Sequence, residues 1–372
     1  MNNNLENTFY DIIVIGCGLS GICLVLELCK RTKKKILILE KKKKLINDKN
    51  WCFWNHPLNE FTHNSDHSWK NIKISFDNEV IIKNDVKFSY NNIPSIKLYG
   101  KIIEKVKDHS NLDILFNQDI TELIEDKDLV QIESNKRRYK SKFVFDSRPP
   151  KLKSDGLIQH FLGVEYLFDE KVFNKKEVTL MDFQKNENVI HFFYILPFTE
   201  KKALIETTWL SDLEDQNLMN YDLQLEDYIK NNLKIKNYKV KFVEKGAIPL
   251  FYPPKNKNDK VIDIGAAGEM TRLSTGYTFL NIQEHSKYIL KNIDRIEEIK
   301  KYNLGQKYKF LDKIFLKVLK NNPEKMPNIF YKMFKCSPCT VIKFLSNKSN
   351  ILEDINIISK MPKLIFLKEL FY

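Results

Sequence analysis

Glu206 stands in the run "ALIETTWLS", residues 203–211, where nearly every neighbour is apolar or β-branched. The run reads as a strand, whose side chains alternate between two faces. Leu204, Glu206, Thr208 and Leu210 then share one face, and Ala203, Ile205, Thr207 and Trp209 the other. Neither is a solvent face. A carboxyl buried without a counter-charge tends to keep its proton. Remaining neutral at pH 7 requires a rise of roughly three units from about 4.3, or about 4 kcal/mol. Two readings fit: a carboxyl kept neutral by burial, or a structural Glu paired with Lys or Arg or tucked at a strand end. The seven histidines include no HExxH or other metal spacing, so no metal site is expected.

A second set of residues lies near the N-terminus. "YDIIVIGCGLSGICLVLELCK" reads as strand, glycine turn and helix, and "KILILE" as the next strand. Gly16, Gly18 and Gly21 give GxGxxG in the context that makes this motif specific, with Glu40 ending the second strand at the expected distance. Gly16 allows the tight turn, Gly18 a close backbone approach to a pyrophosphate, and Gly21 close packing of helix on strand. The helix N-terminus faces the phosphates, and Glu40 is placed for ribose hydroxyls. A dinucleotide cofactor is expected.

The elements that must position these residues fill a chain of 372 residues, enough for two or three packed units. Hydrophobic residues make up 43%, which excludes a disordered chain. The net charge of +13 suggests an anionic partner. Its lysines are scattered rather than gathered in one arm, and no nucleic-acid-binding signature appears. A membrane surface is the better reading, and no nucleic acid is expected. "MNNNLENTFYD" is polar and runs straight into a strand, so no signal peptide is expected, and residues 11–29 contain Asp11, three glycines and Glu27, a poor membrane span. Cys336 and Cys339 have CxxC spacing with no second pair, which reads as structural, and the cysteine usage suggests a reducing compartment.

Short strands are expected at "NIKISF" and "EVIIK", a helix at "SIKLYGKIIEKVKDH" and a strand at "LDILF". A strand pair follows in "DITELIEDKDLVQIES", a strand in "RYKSKFVFD", and a strand meander over 176–210. "KVIDIGAAGEMTRLSTGYTFLNIQEHSKYILKNI" repeats strand, glycine loop and helix. Beyond about 300 the chain is helical. Its last part mixes Lys with Phe, Leu and Ile, which fits a docked helical cap, a surface that sits on acidic lipid, or both.

The order of an N-terminal GxGxxG, an interrupted nucleotide domain, a sheet insertion and a late "IGAAG" loop resembles two-domain flavoproteins of the hydroxylase type. The resemblance implies an α/β fold. It has a Rossmann-type FAD-binding domain, an inserted mixed or antiparallel β-sheet substrate domain and a C-terminal helical region. The implied division gives FAD-binding parts at 1–55, 100–150 and 245–298, substrate-domain parts at 56–99 and 151–244, and helices over 299–372. Hydroxylases of this build carry Gly-Asp in the late loop, where this chain has Gly265-Ala266-Ala267-Gly268. That argues against an ordinary hydroxylase.

"NWCFW" (50–54), "KGAIPL" (245–250), "FDSRPP" (145–150), "LIETTWLS" (204–211), "STGYTF" (274–279) and the C-terminal "MFKCSP" region together resemble the bacterial lycopene beta-cyclase family over nearly the whole chain. One departure is that many members have His-Pro shortly before Thr-Gly-Tyr, where this chain has Arg272-Leu273-Ser274. The resemblance implies a redox-neutral isomerisation that closes the linear psi ends of lycopene to beta-carotene by way of gamma-carotene, with Glu206 as proton donor. It implies FAD, required in reduced form, with NADPH or NADH as reductant. Cofactor contacts are expected from Gly16, Gly18, Gly21, Glu40, Asp146, Arg148, Gly265, Ala267, Gly268, Thr275 and Gly276. For Arg148, a turn ion pair with Asp146 is the alternative. Trp51, Phe53, Trp54, Thr208 and Tyr277 are expected at the polyene, with core packing the alternative for the first three. Expected partners are lycopene or a related linear carotenoid, a lipid surface on the cytoplasmic side, and other enzymes of the carotenoid pathway. Competing readings are another FAD-dependent oxidoreductase acting on an isoprenoid, and a carotenoid carrier without catalysis.

Overall fold

The apolar run Phe9–Ile15 can be buried on both faces only if parallel neighbours and covering helices surround it. The computed structural model, which describes residues 9–152, 156–185, 189–212 and 216–371, provides both. Ile36–Leu39 and Arg138–Asp146 flank the strand in parallel. Leu112–Leu115 extends the sheet beyond Ile36–Leu39, and Val261–Asp263 joins Arg138–Asp146, again in parallel. An antiparallel hairpin, Ile120–Glu125 with Val130–Ser134, completes seven strands. Helices Leu19–Leu28, Ser95–Asp108 and Phe279–Lys291 pack their apolar stripes against one face.

The second sheet also has seven strands. Their order is Tyr238–Pro249, Ile158–Phe168, Lys202–Ser211, Ile190–Pro197, Glu177–Gln184, Asn71–Phe76 and Glu79–Lys83. Every pairing is antiparallel except Glu177–Gln184 with Asn71–Phe76. Tyr238–Pro249 runs through the boundary read at 244/245. One face of this sheet packs on C-terminal helices through Phe330, Met333, Phe334 and Val341. The other is covered by Tyr221 and Leu225 of helix Tyr221–Asp227 and by the turn Tyr228–Leu233 that follows. A three-stranded sheet, Asn50–Trp54, Tyr90–Pro94 and His67–Trp69, lies between the two units. Its first strand sends Phe53 into the nucleotide-domain core and Trp54 into the other.

The C-terminal region is helical, over Gln306–Asn321, Met326–Phe334, Pro338–Leu345, Ile351–Lys360 and Lys363–Phe371. It is tied to the loop before Phe279–Lys291 by a buried post. Arg272, 1% exposed, donates from Nε to Asp312 Oδ1 at 2.6 Å, and from Nη1 to the Phe344 carbonyl at 2.9 Å and Asn347 Oδ1 at 2.6 Å. Asp312 also accepts from the Leu273 amide at 3.1 Å. The guanidinium lies over the rings of Tyr308 and Phe344. Arg272, where the sequence departs from the family pattern, therefore clamps this loop to the C-terminal helices. No described helix is long and apolar enough to cross a membrane.

Candidate active site

The strands of the first sheet end along one edge. Gly16 follows Phe9–Ile15, Ser147 follows Arg138–Asp146, and Ile264 follows Val261–Asp263. Ser147 donates its amide to the Ile15 carbonyl at 3.0 Å, and Ile264 to that of Asp146 at 2.8 Å. Ligands of open α/β sheets bind at such carboxyl ends.

Each glycine of the motif has a distinct geometric role. Gly16 has φ +90°, where a side chain is strained. A Cβ at Gly21 would press into the Gly16 carbonyl oxygen, whereas no atom lies within 4 Å of the place a Cβ would take at Gly18. The helix Leu19–Leu28 has no side-chain cap at Gly18, so its first amides are free to meet an anion. This cradle fits the pyrophosphate of a dinucleotide. Glu40 is buried beside it, accepting from the Cys17 amide at 2.6 Å and the Lys42 amide at 2.8 Å. The late loop meets the same helix, since a Cβ at Gly265 would collide with Ser20. Ala267 is half-buried, and Gly268 packs on the Asp263 carbonyl. Gly276 lies against Gln159 and Ile248 of the second sheet. Arg148 forms the turn ion pair. Its Nη2 and Nε donate to Asp146 at 2.6 and 3.0 Å, and its Nη1 donates to the Ile120 carbonyl at 3.1 Å.

These geometries separate two substitutions. Gly18→Ala should fold normally and lose FAD, because the methyl occupies space left for the ligand. Gly21→Ala should lose thermal stability even without cofactor, because the methyl meets backbone. Flavin content after reconstitution and apo-protein melting temperature distinguish the two. A Gly18→Ala protein that retains FAD with wild-type affinity would remove the pyrophosphate assignment.

Between the two units is a cavity of about 480 Å³. Trp51, Trp54 and Tyr277 line it, as do Tyr90, Tyr194, Phe161 and Phe192, which the sequence did not single out. Trp54 and Tyr90 stand 4.6 Å apart between ring centroids, and the Tyr194 hydroxyl donates to that of Tyr90 at 3.0 Å. Phe53 is elsewhere, stacked at 4.4 Å on Phe279 in the nucleotide-domain core. Thr275 also lines the cavity. Ser274, Thr275, Phe330 and Met333 form a wall shared with a second, almost wholly apolar cavity of about 340 Å³ among the C-terminal helices.

Glu206 opens into the first cavity from the middle of Lys202–Ser211 and is 7% exposed. Thr208 is fully buried and donates to Glu206 Oε1 at 2.6 Å. It holds the carboxyl and does not line the cavity. Burial pushes the Glu206 carboxyl up to about 8, with the nearby Glu244 carboxyl adding to the rise and the Thr208 bond opposing it. The reverse face of the strand is equally dry. Thr207 donates to Gln224 at 2.6 Å, and Trp209 stacks on His191 at 3.9 Å. No ion pair with Lys or Arg reaches Glu206 among the described residues, and no metal-binding cluster is found among them. The site is thus a buried carboxyl, raised by burial, that opens into a largely aromatic and apolar chamber.

Solved structures share this architecture. A geranylgeranyl bacteriochlorophyll reductase-like protein from Thermoplasma acidophilum superposes with a TM-score of 0.68 at 13% identity, covering 97% of this chain and 98% of its own. The p-nitrophenol 4-monooxygenase of Pseudomonas putida DLL-E4 gives 0.60 at 13% identity, with coverages of 95% and 98%. A halogenase solved in complex with FAD gives 0.61 at 12% identity, covering 96% and 85%. These likenesses establish the FAD-flavoprotein fold, with its two units and mixed sheets. No curated protein matches the chain by sequence. The lycopene cyclase protein family model matches residues 11–370, and the chain belongs to that family of enzymes.

Proposed function

We propose that the protein closes the psi ends of a linear carotenoid, taking lycopene to beta-carotene by way of gamma-carotene. The observation that carries this reading is Glu206, a buried carboxyl without a Lys or Arg partner among the described residues, pushed up by burial and opening into an aromatic chamber. An alkene is a very weak base, so its protonation needs an acid that is neutral, fixed and shielded from water. Glu206 gives its proton to C2, leaving a tertiary cation at C1. The C5=C6 electron pair forms the C1–C6 bond and moves the cation to C5. Loss of the C6 proton then completes the ring. Ring faces of Trp54, Tyr90 and Tyr194 attract a cation held among them and exclude the water that would trap it. The cradle at Gly16, Gly18, Gly21 and Glu40 would hold FAD, which in reduced form supplies negative charge to the chamber.

The reaction moves no electrons overall. Purified protein with FAD and liposomal lycopene, kept anaerobic after photoreduction, should therefore form rings without consuming NADPH or NADH per ring. The nicotinamide serves only to keep the flavin reduced. Stoichiometric nicotinamide consumption would instead favour a reductase or hydroxylase, and bound but unchanged lycopene a carrier. Rings formed at full rate with oxidised FAD would sink the role given to the reduced state.

We also propose a peripheral station on the cytoplasmic face of a membrane. Ile351, Leu352, Ile355, Leu364 and Leu367 are exposed on the last two helices, on a chain of net charge +13. Flotation with liposomes should increase with anionic lipid and weaken with salt. Binding indifferent to both would reject the electrostatic part.

A further inference from the structure

Ile158–Phe168 runs between the strand that carries Glu206 and the edge strand Tyr238–Pro249. Gly163 pairs with Glu206 on one side and with Glu244 on the other. Residues directly opposite in a sheet share a face, so both glutamates project from one face across a position without a side chain. Both line the same cavity. A Cβ at Gly163 would come within 3.1 Å of Glu244 Cγ and 3.5 Å of a Leu204 methyl. The gap therefore keeps the space between the two carboxyls clear. Adjacent strands lie about 4.8 Å apart, which sets the two Cα atoms roughly 10 Å apart. Two glutamate side chains reaching inward from that separation can serve a six-membered ring between them.

The two carboxyls are held differently. Glu206 has a hydroxyl donor, Thr208, which can accept as readily as it donates. Glu244, 8% exposed, receives two N–H donors on Oε2, from the Asn50 amide at 2.6 Å and Asn50 Nδ2 at 3.3 Å. An N–H donor favours the ionised carboxyl over the neutral one. Asn50 is itself fixed, with its Oδ1 accepting from Asn92 Nδ2 at 3.2 Å. Burial pushes both carboxyls up, and at Glu244 the two Asn50 donors oppose the rise, which makes Glu244 the carboxyl placed to carry the negative charge. Carboxyls whose environments push them apart in this way divide the acid and base roles.

Building on the cyclase reading, we propose that Glu244 is the base that removes the ring proton. The Glu206 O–H bond breaks and the C2–H bond forms. After C1–C6 closure, the Glu244 carboxylate takes the proton from C6, and the C–H electron pair becomes the C5=C6 double bond. Glu206 is then ionised and Glu244 neutral. Return of one proton from Glu244 to Glu206 restores both, with no net proton, oxidant or reductant used.

The test compares wild type, Glu244→Gln, Glu244→Asp and Glu206→Gln, each loaded with FAD and photoreduced, acting on liposomal lycopene. Flavin content and melting temperature check the fold. Glu244→Gln should lose beta-ring formation about 100-fold or more. Its remaining product should shift to ring isomers in which the cation has lost a proton from C4 or from the C5 methyl, because the cation still forms. Glu244→Asp should restore part of the rate with the wild-type isomer distribution. Glu206→Gln should give no ring isomers. An unchanged isomer distribution in Glu244→Gln, with a beta-ring rate within tenfold of wild type, would overturn the assignment. So would a folded Glu244→Gln that forms no ring of any kind, or, if that variant does not fold, a Glu244→Asp that folds and forms none. A wild type that forms no ring would count against the cyclase reading itself.

Discussion

Glu206→Gln should fold, bind FAD, take up lycopene and leave its ends open, with ring closure reduced by several orders of magnitude. The amide keeps the size and polarity of the acid and removes the transferable proton. Glu206→Asp should retain a little activity, since the acid survives one methylene further back. Ring closure within about tenfold of wild type in Glu206→Gln, a barrier change under roughly 1.4 kcal/mol, would show that another group is the acid. Stability provides a second readout. The folded-state carboxyl lies near 8 against an ordinary 4.5. Its contribution is thus fully present below pH 4.5 and lost as pH rises toward 8, at about 1.4 kcal/mol per pH unit. Denaturant unfolding of wild type should weaken across that window, and Glu206→Gln should lack this component. Wild-type activity should also decline above pH 8 as the donor ionises.

Arg272→Met should cost about 3–5 kcal/mol, because it leaves Asp312 as a buried charge without its cation. Asp312 would retain the Leu273 amide, which cannot replace a guanidinium. At an unfolding entropy of about 2.1 cal/mol/K per residue, this corresponds to a melting temperature lower by roughly 4–6 °C. Arg272→Met combined with Asp312→Leu should regain much of the loss, since a hydrophobic pair of similar volume is often neutral where a broken pair is not. Calorimetry on the single and double variants checks this. A loss under 1 kcal/mol in Arg272→Met would mean that the C-terminal helices are held by their apolar packing and by other polar ties such as Lys309–Glu269 and Lys348–Glu284.

Much of this organisation was legible in the chain. The strand, glycine turn and helix around Gly16, Gly18 and Gly21, with Glu40 at the end of the next strand, could be read because they lie within one βαβ unit. Glu206 was visible as a carboxyl in a doubly apolar strand, and the covering helix Tyr221–Asp227 supplies the second dry face. Other features depended on pairings between distant segments. Tyr90 and Tyr194 are 104 residues apart and meet only once two sheets are stacked. Glu244 sits in "KFVEKGAIPLF" with Lys on both sides of the run, which suggests a solvent-facing edge strand. It is nonetheless buried, and its hydrogen-bond partner is Asn50, 194 residues earlier. The aromatic run "NWCFW" could not be divided without its partners. Alternation separates Trp51 and Phe53 from Cys52 and Trp54, yet Trp51 reaches the cavity while Phe53 stacks on Phe279. Arg272 looked like a departure within a cofactor loop, and its role depends on Asp312, 40 residues away.

Lys202–Ser211 is paired along both edges, and its side chains are buried on both faces. Segments of that kind open only with the greater part of a protein, whereas binding loops come from the least stable end of a structure. Glu206 therefore occupies one of the most slowly fluctuating places in the molecule. On the proposed reaction, fidelity in where Glu206 delivers its proton becomes a property of the architecture. Such a rigid reference point leaves conformational adjustment to the surrounding wall, where side chains can change with little effect on where the acid stands.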